Sequence, residues 1–228
     1  MKINTFGLPL ELIIKIVIKK VFNSKLNTWV DLGCGDGHFI SSLKIIPKKG
    51  LGIDAVDSNF LPSNFRFEKR NVLEWVNDYK GEPLDLVTMF ELVEHLEKDD
   101  SISLIKKVQK FTSNIIISTP RDFLKQDAET NENLKNNPYQ WHRCGFSVEE
   151  LESLGFFVVI LKNVHIRDFG IFDALCAYWG KYDYKVLKRK IAYENIIYNL
   201  NPLNLYRTIR QFVKVIYKNL SLKLNNQK

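Results

Sequence analysis

The sequence predicts an α/β fold in which a mostly parallel sheet is covered by helices on both faces. Three observations lead there. Short apolar runs alternate with segments of helical spacing from residue 28 to residue 164, the rhythm of consecutive strand–helix–strand units. The first run closes on "LGCGDG", residues 32–37, a glycine turn where a strand hands over to a helix. With 228 residues, 45% hydrophobic and 26% charged, the chain has ordinary globular composition and length for one large domain with an appendage.

The elements follow in order. "LPLELIIKIVIKKVF" near the start is apolar enough for a signal peptide, but Lys15, Lys19 and Lys20 interrupt it and no small-residue cleavage site follows. It reads as an amphipathic helix over residues 9–23. "TWVDLG" is the first strand, "HFISSLKII" a helix, "GLGIDAV" the second strand and "NFRFEKRN" the third. "VLEWVNDYKG" is a helix stopped by Gly81, "LDLVTMF" the fourth strand, "EHLEKDDSISLIKKVQKF" a helix, and "NIIIST" a fifth strand stopped by Pro120. A polar stretch, 120–146, breaks the rhythm. "SVEELESLG" restores it with Ser147 and Glu150 placed as a capping box, and "FFVVILKNV" is one more strand. From about residue 183 only helices remain, "YKVLKRKIAYENIIYNL" and, after Asn201-Pro202, "PLNLYRTIRQFVKVIYKNLSLKL". The expected division is a domain over 1–182 and a basic helical extension over 183–228.

Charge separates those parts. Residues 181–228 hold 11 Lys/Arg against 2 Asp/Glu, a net +9, so the total of +7 leaves −2 for the other 180 residues. Three cysteines, Cys34, Cys144 and Cys176, with no CxxC spacing argue against a disulfide framework or a cysteine zinc site and for a reducing, cytoplasmic setting. No run reaches the roughly 18 apolar residues of a membrane span.

The glycine turn narrows the ligand. It reads Asp31-x-Gly33-x-Gly35-x-Gly37. The dinucleotide fingerprint would put its third glycine at His38, and the Lys-Ser/Thr ending of a nucleoside-triphosphate loop is missing. A carboxylate just before the turn repels a pyrophosphate but suits a cation, such as a sulfonium carrying an amino-acid ammonium. That charge argument favours S-adenosylmethionine. Asp54 ends the second strand, where a carboxylate can bridge two ribose hydroxyls.

These motifs resemble, in order, those of class I S-adenosylmethionine-dependent methyltransferases, over roughly residues 28–170. "VDLGCGDG" is similar to the first motif, "GIDAVD" to the ribose-binding acid and "RNVLEW" to the adenine-proximal segment. "LDLVTMFELVEHL" and "NIIISTPRD" are similar to the fourth- and fifth-strand motifs. The resemblance implies a Rossmann-like, mostly parallel seven-stranded sheet and a cofactor site of Asp31, Gly33, Cys34, Gly35, Gly37, Asp54, Asn71, Val72 and Phe90. Two departures stand out. Asn71 occupies the usual place of an Asp, its amide oxygen being left to accept from the adenine amino group. Only 16 residues separate Asp54 from Asn71, so the helix usual there is very short or absent.

For the methyl acceptor, the Asn/Asp-Pro-Pro-aromatic tetrad of amino-group methyltransferases is missing after the fourth strand, and "NNPY" at 136–139 lies in the wrong loop. "ELVEH" on a helix would aim Glu91, Glu94 and His95 the same way, and His142 in "NPYQWHRCGFS" would fold over them. Two carboxylates and two imidazoles suit a divalent ion such as magnesium or manganese, an arrangement that resembles metal-assisted O-methyltransferases. The competing reading is a structural Glu94-His95 pair, with His142 or His95 as general base. Glu94, His95 and His142 are the catalytic candidates in either case. Tyr139, Trp141 and Phe146 offer aromatic faces for a sugar.

In the tail, Leu205, Ile209, Phe212, Val213, Ile216 and Leu220 line one side of a helix, with Arg207, Arg210, Lys214 and Lys218 over much of the rest. Packing on the body, an anionic membrane surface and a nucleic acid are the three readings. The expectation is a cytoplasmic methyltransferase, peripheral at the inner membrane surface if the tail docks there. Its acceptor would be a hydroxyl on a small-molecule, glycan or lipid-linked compound. An RNA 2′-O-methyltransferase and a non-catalytic S-adenosylmethionine-binding protein are the alternatives, and the oligomeric state is open.

Overall fold

The computed structural model describes residues 2–23, 25–130, 135, 137–167 and 170–225. Its centre is an eight-stranded sheet in the order β1-β7-β8-β6-β5-β2-β3-β4. The strands are β1 (Lys2–Phe6), β2 (Thr28–Leu32), β3 (Lys49–Asp54), β4 (Phe65–Lys69), β5 (Leu86–Phe90), β6 (Asn114–Pro120), β7 (Phe157–Arg167) and β8 (Gly170–Gly180). Every neighbouring pair is parallel except those made by β8, which runs antiparallel to both β6 and β7. The Rossmann-like expectation holds, with one correction: there are eight strands, not seven. The extra one is β1, which pairs Lys2–Phe6 with Val158–Lys162 at the sheet edge.

Parallel strands covered on both faces are apolar on both, and β5 and β6 are buried at every position. Their side chains divide by parity. Val87, Met89, Ile115 and Ile117 pack with helices α3 (Val72–Asp78), α4 (Lys98–Val108) and α5 (Val148–Ser153). Leu86, Phe90 and Ile116 face the opposite way, against α1 (Leu10–Phe22), α2 (His38–Leu43) and α6 (Tyr184–Leu200). Helix α1 lies where expected and buries Ile13, Ile14, Ile16, Val17 and Ile18. The capping box of Ser147 and Glu150 forms in both directions.

No helix forms between β3 and β4. Residues 55–64 are instead a strap whose Asn59 and Phe60 amides donate to the Asp36 carbonyl, and Phe60 stacks on His38 at 4.0 Å. The last two helices are α6 and α7 (Pro202–Asn225). Leu187 and Ile191 of α6 reach the core. Among the described side chains of α7, Val215 alone is buried; those of Phe212 and Leu220 lie outside the described residues. All three cysteines are free and buried.

Candidate active site

The carboxyl ends of β2, β3, β5 and β6 meet at one edge of the sheet, and two adjoining cavities open there. The larger, of about 360 Å³, is lined by Asp31, Cys34, Phe90, Glu94, His142 and His165, among others. The smaller, of about 120 Å³, is lined by Asp54, Val56, Asn71, Leu92, Leu96 and Tyr139, among others. Gly33, Gly35, Glu91, His95 and Gln140 belong to both, so together they form one two-lobed cleft.

Backbone hydrogen bonds shape the turn between the lobes. Gly33 and Cys34 amides donate to the Ile53 carbonyl, at 2.8 and 3.2 Å, tying the turn to β3. The Gly35 amide donates to Asp54 Oδ2 at 2.8 Å and the Val56 amide to Oδ1 at 2.9 Å. Each Asp54 oxygen keeps lone-pair capacity toward the smaller lobe. Gly35 has φ +54°, and a Cβ there would face open space; the cleft thus meets bare backbone at that point. Gly37 has φ +88°, and a Cβ would come within 2.6 Å of the Leu61 amide nitrogen. It caps α2 under the strap and, alone among the expected cofactor residues, lines neither lobe.

Asp31 sits at the floor, 2% exposed. The Trp29 indole donates to Thr88 Oγ1 at 2.8 Å, and the Thr88 hydroxyl donates to Asp31 Oδ1 in a short bond. The β2–β5 register sets that contact by placing Asp31 opposite Thr88. Burial pushes the Asp31 carboxyl up to about 8, because a charge without a partner is costly in a low-dielectric floor. A cation in the larger lobe would supply the missing partner. The cleft therefore fits S-adenosylmethionine: a dihydroxy sugar against Asp54, an apolar-walled base site beside Val56 and Leu92, and a buried carboxylate for the charged end.

Asn71 has a role beyond the expected one. Its Oδ1 accepts from the Leu73 and Glu74 amides, at 2.8 and 3.4 Å, and caps α3. The oxygen expected to read the base also serves the helix, and Asn71 lines the smaller lobe. Val72 is buried beside it in the smaller lobe, and Phe90 closes the larger one, edge-on to Phe39 at 4.8 Å.

The expected helix through "ELVEH" is replaced by a sharper path. Glu91 takes φ +48° and a single 3₁₀ turn covers Val93–His95. The strand end and the turn give the two carboxylates different settings. Glu91 is exposed, and its Oε1 accepts from the Ser118 hydroxyl at 2.9 Å. Glu94 is 1% exposed, and neither carboxylate oxygen has a hydrogen-bond partner among the described residues. Burial first, and the Glu91 charge second, hold its pKa well above the usual carboxylate range.

Ligand atoms of Glu94, His95 and His142 lie within 4.8 Å of one another. Glu91, expected as a fourth ligand, is outside that group. His95 Nδ1 lies 3.2 Å from the Trp141 carbonyl and His142 Nδ1 2.6 Å from the Leu124 carbonyl. Each Nδ1 must be the protonated nitrogen to donate there, which leaves each Nε2 with its lone pair free. Burial drives the His95 imidazole down to about 4 and lowers His142 as well. Glu94 also holds the loop: its carbonyl accepts from the Arg143 and Cys144 amides.

Sequence reasoning did not find His165 and Arg167 on β7, which line the larger lobe. His165 Nε2 is buried without a partner among the described residues, and desolvation lowers its pKa to about 4. No motif marks them, since they reach the cleft only because β7 runs five residues past its last ladder pair with β1. Leu92 and Leu96 flank the "EH" pair and could have been read from it. Of the three aromatics, Tyr139 lines the smaller lobe, whereas Phe146 is fully buried under the Lys98 ammonium and packs the loop instead.

Residues 10–155 match the family described as a methyltransferase domain. Among solved structures, the chain is similar to the N-methyltransferase NodS from Bradyrhizobium japonicum WM9. Its complex with S-adenosyl-L-homocysteine gives 16% identity, coverage of 74% of this chain and 84% of that one, and a TM-score of 0.51. NodS in a second crystal structure gives 14% identity, 74% and 93% coverage, and a TM-score of 0.50. An S-adenosylmethionine-dependent methyltransferase from Archaeoglobus fulgidus gives 20% identity, 74% and 94% coverage, and a TM-score of 0.47. No curated protein matches the sequence.

Proposed function

The chain belongs to the methyltransferase-domain family and is a class I S-adenosylmethionine-dependent methyltransferase, and from that premise we propose that it methylates a hydroxyl oxygen of a small-molecule, glycan or lipid-linked acceptor. The observation that carries this reading is Glu94, a buried carboxylate with no hydrogen-bond partner among the described residues, standing beside two imidazoles whose Nδ1 bonds leave Nε2 unprotonated. An amine is already nucleophilic once deprotonated. A hydroxyl needs its proton managed during transfer, and this cluster is the place for that.

S-adenosylmethionine brings the electrophilic methyl group on its sulfonium. Asp54 accepts from the ribose hydroxyls, Val56, Leu92 and Leu96 enclose the base, and Asp31 faces the cationic end. The chain's contribution is then mostly alignment of acceptor and methyl donor. Asp31, Gly33, Cys34, Gly35, Asp54, Val72 and Phe90 form that cofactor site in our reading.

The acceptor side favours a cation holder over a general base. A histidine lowered to about 4 accepts a proton weakly at neutral pH, whereas neutral imidazoles fixed by Nδ1 bonds are suited to bind a metal. Glu94, His95 and His142 would hold a divalent ion, manganese better than magnesium given two nitrogen donors. Such an ion would act as a Lewis acid toward a nearby hydroxyl.

Calorimetry of S-adenosylhomocysteine and of manganese, each alone, on wild type and Glu94→Gln tests the scheme. Nucleoside binding should survive the substitution and manganese binding should not. Absence of a manganese signal, together with undiminished methyl transfer by Glu94→Gln, would sink the proton-handling cluster. RNA 2′-O-methyl transfer is the rival, and it demands RNA binding that weakens steeply with salt.

A further inference from the structure

Twelve of the nineteen large apolar side chains that are exposed among the described residues lie on α6 and α7. Their arrangement is ordered. At 3.6 residues per turn, Leu205, Tyr206, Ile209, Val213, Ile216 and Tyr217 fall within about one third of the circumference of α7. All six are at least 44% exposed. Arg207, Arg210 and Lys214, all exposed, fill the adjoining sector. The body lies on the far side, where Val215 is buried and the Thr208 hydroxyl donates to Asn199 Oδ1 at 3.0 Å. On α6, Tyr193, Ile196, Ile197 and Leu200 are exposed in the same manner, opposite buried Leu187 and Ile191.

We propose that this α6–α7 face docks on a membrane surface rich in anionic lipid, with α7 lying in the plane of the interface. Among the described residues no helix is long and apolar enough to cross a membrane, so the contact is a surface one. Helix α7 carries five Lys/Arg and no Asp/Glu over its length. An apolar sector bordered by cations matches acyl chains below and phosphates alongside, and tyrosines suit the boundary between them. A second copy fits less well. A symmetric contact would set the face against itself and bring like charges together with no acid on α7 to meet them. A nucleic acid would satisfy the cations and leave the apolar sector in water.

The topology also orients the cleft. Because β1 is parallel to every strand but β8, its end at Phe6 lies on the same sheet edge as the ends of β2 and β5. The α6–α7 corner is pinned there: Asn199 Nδ2 donates to the Phe6 carbonyl at 3.0 Å, and a Cβ on Gly7 would strike Thr208. The docking face therefore begins on the edge that holds the active-site cleft, which suits an acceptor presented from the lipid surface. That last point rests on the proposed acceptor class; the docking itself does not.

The full chain is sedimented with phosphatidylcholine vesicles, with and without phosphatidylglycerol, across a range of salt. Binding should require phosphatidylglycerol and fall with salt. Ile209→Ser/Val213→Ser should weaken partitioning by about tenfold or more, and Arg207→Gln/Arg210→Gln should weaken it and flatten its salt dependence. All these side chains are exposed, and circular-dichroism melting should be unchanged. Failure to sediment overturns the proposal, as does sedimentation indifferent to either double variant. A concentration-dependent dimer abolished by Ile209→Ser/Val213→Ser, without vesicle binding, would give the face to a second copy. RNA binding abolished by Arg207→Gln/Arg210→Gln, without vesicle binding, would give it to nucleic acid. S-adenosylhomocysteine calorimetry on the same preparations reports the cofactor site separately, so either claim can fail alone.

Discussion

The two lobes of the cleft are built by different means. The smaller one is built around the neighbouring strand ends at Gly33–Gly35, Asp54–Val56 and Asn71–Val72, with Leu92, Leu96 and Tyr139 closing it, and its shape depends on backbone hydrogen bonds among β2, β3 and the turn after β2. The larger one gathers Glu94, His142 and His165 from three separate parts of the chain. Its far wall is a loop fastened by the His142 and Arg143 amides, which donate to Gln126 and Glu94 carbonyls. The difference teaches where damage should register. Substitution in the smaller lobe, or of Asp31 on the floor of the larger one, should change cofactor affinity, and substitution of Glu94, His142 or His165 in the larger lobe should change turnover at nearly constant affinity.

The sharpest test of that split is Glu94→Gln. Methyl transfer should fall on the order of 10³-fold, while calorimetry shows S-adenosylhomocysteine affinity within about twofold. The fold should tolerate the change, since Gln matches Glu in shape and neither Glu94 carboxylate oxygen has a hydrogen-bond partner to lose among the described residues. A parallel fall in affinity would erase the distinction between lobes.

Asp54→Ala should do the reverse, with cofactor affinity weakened by about 10²- to 10⁴-fold. Two hydrogen bonds to a charged carboxylate contribute roughly 1.5–3 kcal/mol each, and the Gly35 tether goes with them. Turnover at saturating cofactor should be affected much less.

Asp31 adds a pH dependence confined to cofactor binding. Its carboxyl is raised to about 8, so S-adenosylmethionine must bind with loss of a proton below that value. Affinity should rise with pH by up to about tenfold per unit from pH 6, levelling near 8, and Asp31→Asn should flatten the curve. The sign for stability is opposite. The unfolded chain releases the Asp31 proton near the ordinary value, whereas the native protein keeps it. The unliganded protein therefore loses stability as pH rises from about 4 toward 8, and thermal melts should show it.

The smallest effect expected is that of His165→Ala. It should raise the acceptor KM by about threefold and leave cofactor affinity unchanged; a loss in cofactor affinity would place His165 in the wrong lobe.

The same contrast explains what was legible in the sequence. The glycine turn, Asp54 and the parallel core announce themselves because each is local, a spacing or an apolar run that the backbone turns directly into geometry. Two strands were not read from the sequence, β8 in "GIFDALCAYWG" and β1 in "KINTF", the latter an edge strand that buries only Thr5 fully. The path through "ELVEH" was misread as α-helix, since nothing local reveals that Glu91 adopts a positive φ at the end of β5. Asn71 was read as a ligand contact alone; a cap and a ligand acceptor call for the same polar residue, and it caps α3 while lining the smaller lobe. His165 depends on the length of β7 and on the antiparallel β8 beside it, facts of the assembled sheet alone.

The cysteines carry a practical consequence. Cys34 and Cys176 are raised by burial to about 12, and Cys144 is raised as well. With all three buried and held as thiols, the native protein offers maleimides almost nothing at neutral pH, because the thiolate is the reacting species. A Tyr217→Cys substitution, at a side chain 76% exposed on α7, would then accept a probe at one place without removing any natural cysteine. Spectroscopic labels can be set along α7 one at a time, so the depth of each position can be charted on a protein whose own sulfur chemistry stays silent.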